Sequence, residues 1–348
     1  WVPRPRIAGL DAYLDKTGTV FLASDPADGE IPPVAVKNGF FSRLFEPIAK
    51  LFSLPAYHEL DLTAAFAPFF TLFFGLCLGD AGYGLVIFLG AFIARFKVKR
   101  EMKPLMTLAM VLAFSTMVVG AVTGTVFGIW LSEVPEWKDK VLIPDANTLF
   151  YMALGIGVVQ ILFGMLIQIG NRYRADGFLG CLCRVGWFLM VSSLVIIMLK
   201  GSVPGLAASP VAAVAGITIW VGIGLILFFN DLKANIFARI GKGIWQLYGI
   251  TGFFGDMLSY VRLFALGISG GILGLVINTI AANFKAIPVV GPGVFVLVLI
   301  VGHLGNIFLS GLGAFVHPMR LTFVEFYNNS GFEGGGREYR PLALKNSK

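Results

Sequence analysis

Two arginines stand inside long apolar runs: Arg262 in Asp256-Met257-Leu258-Ser259-Tyr260-Val261-Arg262-Leu263-Phe264, and Arg320 in Gly313-Ala314-Phe315-Val316-His317-Pro318-Met319-Arg320-Leu321. A guanidinium keeps its charge at any physiological pH, and at mid-membrane it costs about 3 kcal/mol on insertion scales. Such a charge calls for a partner or a wetted cavity. Asp256 lies six residues before Arg262, about 120° away around a helix, so the two do not meet as an i, i+4 pair would. With the obvious local partner absent, the arginine is either in an ion pair made elsewhere in the fold or on a face that looks outward at something else. Ser269, seven residues on and nearly eclipsed with Arg262, shares its outward face.

A second stripe runs through the last apolar stretch. His303, Asn306, Ser310, Gly313, His317 and Arg320 recur at intervals of three or four residues, which keeps all six on one side of a helix. Polar groups in register through a Leu-, Val- and Phe-rich run describe a hydrated path or a close helix contact. Glu325 follows Arg320 by five residues, at the mouth of that path, and Pro318 removes a backbone hydrogen bond beside the charges. Ser259, Asp256 and Asp80 complete the candidate lining groups. Roughly opposite Arg262 on the same helix, Gly267, Gly271, Gly274 and Asn278 cluster, and the spacings from Gly267 to Gly271 and from Gly270 to Gly274 are small-xxx-small, a face for pressing against the chain's own elements.

The elements that must hold these groups are membrane helices. The 348 residues are 57% hydrophobic and 14% charged, against about 25% charge for a soluble chain, and mean hydropathy is +0.81. Apolar runs span roughly 64–94, 104–131, 147–170, 178–199, 211–229, 246–283 and 292–327, each long enough to cross about 30 Å of hydrocarbon. Basic residues flank the first run on both sides, six before it and five in Arg95, Lys97, Lys99, Arg100 and Lys103. By the positive-inside rule that run enters and returns, turning at Gly79-Asp80-Ala81-Gly82-Tyr83-Gly84. Every later loop then agrees, with only Lys138, Lys140, Lys200 and Lys285 outside. The fold class expected is an all-α polytopic membrane protein with about eight transmembrane helices, the last two long and tilted, and both termini cytoplasmic.

Residues 1–63 read as the end of a soluble cytoplasmic domain and linker, Pro-punctuated and weakly strand-like around Thr17–Leu22. Residues 64–328 form the transmembrane domain and 329–348 a cytoplasmic tail. The chain opens at Trp1 without a leader, as a fragment would. The net charge of +7 lies in short loops, not on one soluble face, which speaks against nucleic-acid binding. Cys77, Cys181 and Cys183 lack metal or disulfide spacing and read as small core residues, so no metal and no cofactor is expected. Gly241-Lys242 lacks the remaining residues of a phosphate-binding loop, so nucleotide chemistry belongs elsewhere.

These residues resemble the membrane half of the V-type and A-type ATPase subunit called a, or I. The resemblance is carried by Leu54-Pro55-Ala56-Tyr57-His58-Glu59-Leu60-Asp61, by Phe73-Phe74-Gly75 with Gly79-Asp80-Ala81-Gly82-Tyr83-Gly84, by Ser259-Tyr260-Val261-Arg262-Leu263-Phe264-Ala265-Leu266, by Gly313 to Leu321 with Phe323-Val324-Glu325-Phe326, and by Glu333-Gly334-Gly335-Gly336-Arg337. It implies a non-catalytic stator in an ATP-driven H⁺ or Na⁺ pump or ATP synthase. Two tilted helices would face a proteolipid c-ring (K subunit), Arg262 would be the arginine required for ion translocation and Arg320 the supporting one. The resemblance further implies peripheral-stalk contacts through the amino-terminal domain, indirect coupling to the V1/A1 catalytic sector, and a lipid-embedded place in a prokaryotic plasma membrane. Ser310 and Gly270 depart from the acid and the histidine common at these places in eukaryotic relatives. The competing class is a self-contained secondary transporter with Asp80, Asp256, Arg262 and Arg320 around a central site.

Overall fold

The computed structural model describes residues 1–340 apart from 28–29, 58, 138–140, 144, 202–208 and 232–233. His58, Lys138, Lys140, Lys233 and the tail from residue 341 therefore lie outside the described residues. The chain opens with helix α1 (Ile7–Lys16), then short helices α2 (Phe40–Arg43) and α3 (Glu46–Phe52). No strand forms over 17–22, contrary to the sequence expectation. Val20 and Leu22 are almost fully exposed with no neighbouring strand to pair with, and β-propensity is realised only against a partner.

Asp61 starts the first apolar helix, α4 (Thr63–Leu78), by accepting from the Thr63 backbone N–H at 2.9 Å. Gly79, in the left-handed region at φ 54°, ends it. Asp80 then caps α5 (Ala81–Lys97). Helix α6 (Lys103–Thr123) decides how the two lie. Gly75 sits against Ser115 and the Gly79 carbonyl reaches Thr123, so α4 runs parallel to α6. Gly120 touches the backbone of Asp80 and Ala81, and Gly84 touches Ala113 and Met117, so α5 runs antiparallel to it. The first apolar run thus turns back on itself, with α6 laid along both limbs. After α6, the antiparallel strands β1 (Thr125–Val126) and β2 (Ile129–Trp130) enclose a tight turn with Phe127 and Gly128 at positive φ.

Helix α7 (Ala146–Lys200) carries a break at Gly177 (φ 73°, ψ −169°) that divides it into two apolar arms. The first arm packs Gly157 against the Tyr260 ring and Gly164 against Phe326. The second meets α8 (Pro210–Phe229) through Gly186 and Gly222, whose missing side chains let the backbones touch. The run expected over 246–283 begins earlier and is broken: α9 (Ile236–Leu247) is a separate amphipathic helix, followed by α10 (Ile250–Phe284). The last run comprises α11 (Gly291–Arg320), a widened π-type turn over Leu321–Phe326, and one turn, α12 (Tyr327–Asn329). The molecule is all-α and polytopic in character, with, among the described residues, five helical stretches long and apolar enough to cross a membrane: Arg100–Thr123, Ala146–Lys200, Pro210–Phe229, Ile236–Phe284 and Gly291–Asn329. The 16 residues of α4 and 17 of α5 are shorter.

The core is aromatic and lies where α3 and α4 meet α10 and the π turn, with Phe45, Phe66, Phe70, Phe73, Tyr260 and Phe326 fully buried. All three cysteines are buried and free. The two ends of the chain are stitched together beside this core. The Glu59 carboxylate accepts from the backbone N–H groups of Ala56, Glu333 and Gly334 at 2.8, 2.6 and 3.1 Å. Gly335 donates to Ser53 Oγ, Lys50 pairs with Glu338, and Val34 and Leu54 form backbone bridges to Glu338 and Gly336.

Candidate functional site

Arg262 is half-buried on α10, and its Nη1 atom is buried without a hydrogen-bond partner. Cys77 on α4 and His317 on α11 lie within electrostatic reach of it. Among the described residues neither Arg262 nor Arg320 makes an ion pair; the five pairs present all lie at exposed or half-exposed loop and helix-end positions. Arg320 is exposed at the end of α11, and His317 lies in reach of both guanidiniums. Helices α10 and α11 are antiparallel: Gly302 meets Ile277, Ser310 meets Gly270, and Gly313 lies near Leu266.

On one side of Arg262 is an acidic cluster. Asp256 accepts from Asn329 Nδ2 at 2.7 Å, and the same amide donates to the Glu325 carbonyl at 2.7 Å. Glu325 is 2% exposed with Oε2 unpartnered, and Ser259, Asp256 and Arg320 surround it. An α-helix would place residue 325 about 140° from residue 320. The wider π turn, which follows Pro318, swings Glu325 toward the Arg320 side; single-turn π segments recur at functional positions. Tyr260 Oη donates to Gln160 Oε1 at 2.8 Å, and the Gln160 Nε2 atom is buried without a partner.

On the other side of Arg262, from about 12 to about 24 Å along α10 at about 1.5 Å per residue, is a neutral hydrogen-bonded chain. Ser310 Oγ donates to Asn306 Oδ1 at 2.8 Å. Asn306 Nδ2 donates to the Gly270 carbonyl at 3.0 Å and to Tyr83 Oη at 2.8 Å. With Oη accepting there, its proton turns to His303 Nδ1 at 2.8 Å, which leaves His303 protonated on Nε2 to donate to Asn278 Oδ1 at 3.0 Å. Asn278 Nδ2 ends the chain at the Phe127 carbonyl.

The stripe residues therefore divide. Asn306 is buried, with His303 and Ser310 half-buried beside it, while His317 and Arg320 lie toward the surface. Ser269 is exposed, and Ser259 donates to the Gly255 carbonyl. Asp80 is engaged otherwise: 1% exposed, it accepts from the backbone N–H groups of Tyr83, Phe127 and Gly128 at 3.0, 2.9 and 2.8 Å, tying the α4–α5 turn to the β1–β2 turn. Gly267 lies on the Leu76 carbonyl, Gly270 beside Ser310, Gly271 beside Trp130, and Gly274 on Gly128 and the Tyr83 hydroxyl. That glycine face meets a helix end and a strand turn. Tyr83, Gln160, Tyr260, Asn278 and Asn329 escaped the sequence reading as site residues. The one available signal was a polar residue inside an apolar run, as at Gln160.

No family model matches the chain. It is similar over 99% of its length, at 31% identity, to the A-type ATP synthase subunit I of Pyrococcus horikoshii, covering 53% of that protein. It is 28% identical to the V-type ATP synthase subunit I of Borreliella burgdorferi and 26% identical to the A-type ATP synthase subunit I of Methanocaldococcus jannaschii, each over 98% of the chain and over 59% and 54% of the relative. The chain spans a little over half the length of these curated relatives. The likeness runs over nearly all of the chain, and so takes in both arginine-bearing helices: these A-type and V-type ATP synthase I subunits are its homologues.

Proposed function

We propose that this chain is the membrane stator of a rotary V/A-type ATPase, non-catalytic itself, and forms two offset half-channels for H⁺ or Na⁺ against a proteolipid c-ring. One observation carries the reading: a half-buried guanidinium with an unpartnered nitrogen stands between two separate polar clusters and has no acid of its own chain as a partner among the described residues. A ring carboxylate crosses lipid when neutralised by its cation, because the ionised form is expensive there. On meeting Arg262 it gives up that cation to one cluster and pairs briefly with the arginine; as the ring turns on, it reloads from the other. The fixed charge also repels a cation that would run straight from one cluster to the other, so flow without rotation is suppressed. Helix α11 supports the ring-facing role, since Leu297, Val301, Leu304, Phe308, Leu312 and Val316 leave an apolar strip uncovered along it.

In this reading the eight apolar segments are eight crossings, counting α4, α5 and the two arms of α7. Residues 1–63 are the end of a cytoplasmic arm toward the peripheral stalks and, through them, the catalytic sector; 64–328 translocate ions, and 329–348 form a cytoplasmic tail. The Lys- and Arg-rich loops face the cytoplasm of a prokaryote. Glu325, Asp256 and Ser259 line the cytoplasmic half-channel, and Ser310, Asn306 and His303 the outer one.

Reconstituted complexes test this. Purification should bring a small proteolipid with the chain, and ATP-driven acidification compared with ²²Na⁺ uptake identifies the ion. Glu325→Gln should lower coupled transport several-fold and Ser310→Ala by less, with the ATPase sector still bound; wild-type rates from both would remove the half-channel assignments. A secondary transporter would instead move its substrate as the chain alone.

A further inference from the structure

Away from the arginine helices, a cavity of about 410 Å³ opens where the Gly177 break of α7, the end of α8 and α9 come together, lined by Arg172, Asp176, Arg184, Asn230, Asp231 and Gln246. Its lining holds two guanidiniums and two carboxylates, and Lys242 beside it adds a further positive charge. Arg172 pairs with Asp176 at 3.1 Å, and Asp231 is held by Lys242 at 2.7 Å. Arg184 makes no ion pair or hydrogen bond among the described residues, and its charged neighbour is the like-charged Arg172. Two guanidiniums turned to one cavity repel unless an anion lies between them. Arginine is suited to hold a phosphate there with paired N–H donors. Asn230 donates its Nδ2 to the Arg239 carbonyl, which fixes α9 against the end of α8.

The neighbouring segments say what carries the phosphate. On α9 and just beyond it, Phe237, Ile244, Trp245 and Tyr248 are exposed, the last two stacked on each other, and Phe178 and Leu179 are exposed beside the break. Gln246 turns one side of α9 to the cavity, while Phe237, Ile244 and Tyr248 stand on its opposite, apolar side, as in a helix lying at a membrane surface, where aromatic rings sit at headgroup level and basic pockets between helices receive phospholipid heads. We infer that this cavity binds the headgroup of an anionic phospholipid, its phosphate on Arg184 and Arg172, with the acyl chains passing over Phe178 and Leu179 beside the break. The site is separate from the ion path and does not rest on the stator reading.

Native mass spectrometry of the full-length protein in detergent, titrated with phosphatidylglycerol, reads the site. The wild type should retain one tightly held phosphatidylglycerol and hold phosphatidylcholine about tenfold less well. Arg184→Gln should weaken phosphatidylglycerol about tenfold, and Arg184→Lys, which keeps a charge in the cavity without the planar fork, should fall between. Inorganic phosphate at millimolar concentration should not displace the bound lipid. Equal affinity of the wild type for the two lipids, which needs no variant, would overturn the proposal. So would wild-type retention by Arg184→Gln, and so would displacement by inorganic phosphate, which would make the cavity a soluble-anion site.

Discussion

Replacing Arg262 by glutamine or lysine is expected to abolish ATP-driven ion transport, by at least about a hundredfold, while the complex still assembles. Glutamine removes the charge that must compete with the cation for a ring carboxylate. Lysine retains a positive group of similar reach, but a desolvated ammonium can lose its proton, and a point charge lacks the planar fork that meets a carboxylate with two donors. Since Arg262 makes no ion pair among the described residues, substitution leaves no buried carboxylate orphaned, and the fold should tolerate it. The check is acidification or ²²Na⁺ uptake by proteoliposomes, with subunit composition measured on the same sample. Transport at wild-type rate would remove Arg262 from the gate.

Removing the Asp80 carboxylate should damage the fold instead. Asp80→Ala strands three buried backbone N–H groups, at Tyr83, Phe127 and Gly128. An unsatisfied buried donor costs about 1–3 kcal/mol, so the loss should reach about 3 kcal/mol or more and lower the thermal unfolding midpoint of the purified protein by several degrees. Asp80→Asn keeps an oxygen for two of the donors but turns an NH₂ toward the third, so it should fall between. An unchanged midpoint in Asp80→Ala would refute the capping role. Loss of transport in Asp80→Asn at unchanged stability would return Asp80 to the ion path.

What could be read from the residues depended on the range of the physics. Arg262 announces itself because a charge in an apolar run is costly wherever the chain goes. The turn at Gly79-Asp80 was legible because helix stops and caps are local. The partners of these groups were not. Tyr83 meets His303 and Asn306, 220 and 223 residues later, and Gln160 meets Tyr260, 100 residues later. No periodicity within one helix encodes which neutral side chain on another will complete a chain of hydrogen bonds. The π turn was equally hidden. Pro318 marks a weakened ladder, but the shift from four- to five-residue bonding is settled by how Leu321 and Phe326 fit the aromatic core. The strand expected at 17–22 failed for the converse reason, because local propensity without a neighbour has nothing to bond to.

The stitching of residues 34–59 to residues 333–338 has a mechanical corollary. A pull on the segment ahead of α4 is borne first by the Glu59 carboxylate and the Lys50–Glu338 pair, then by the short tail that leads straight back into the Glu325 turn. Helices α5 to α9 lie outside that load path. Under the stator role proposed above, torque reacting through the front of the polypeptide would reach its rear, at the helix that holds Arg320, as well as α4, as a cable clamped at both ends of a mast transmits tension past what lies between.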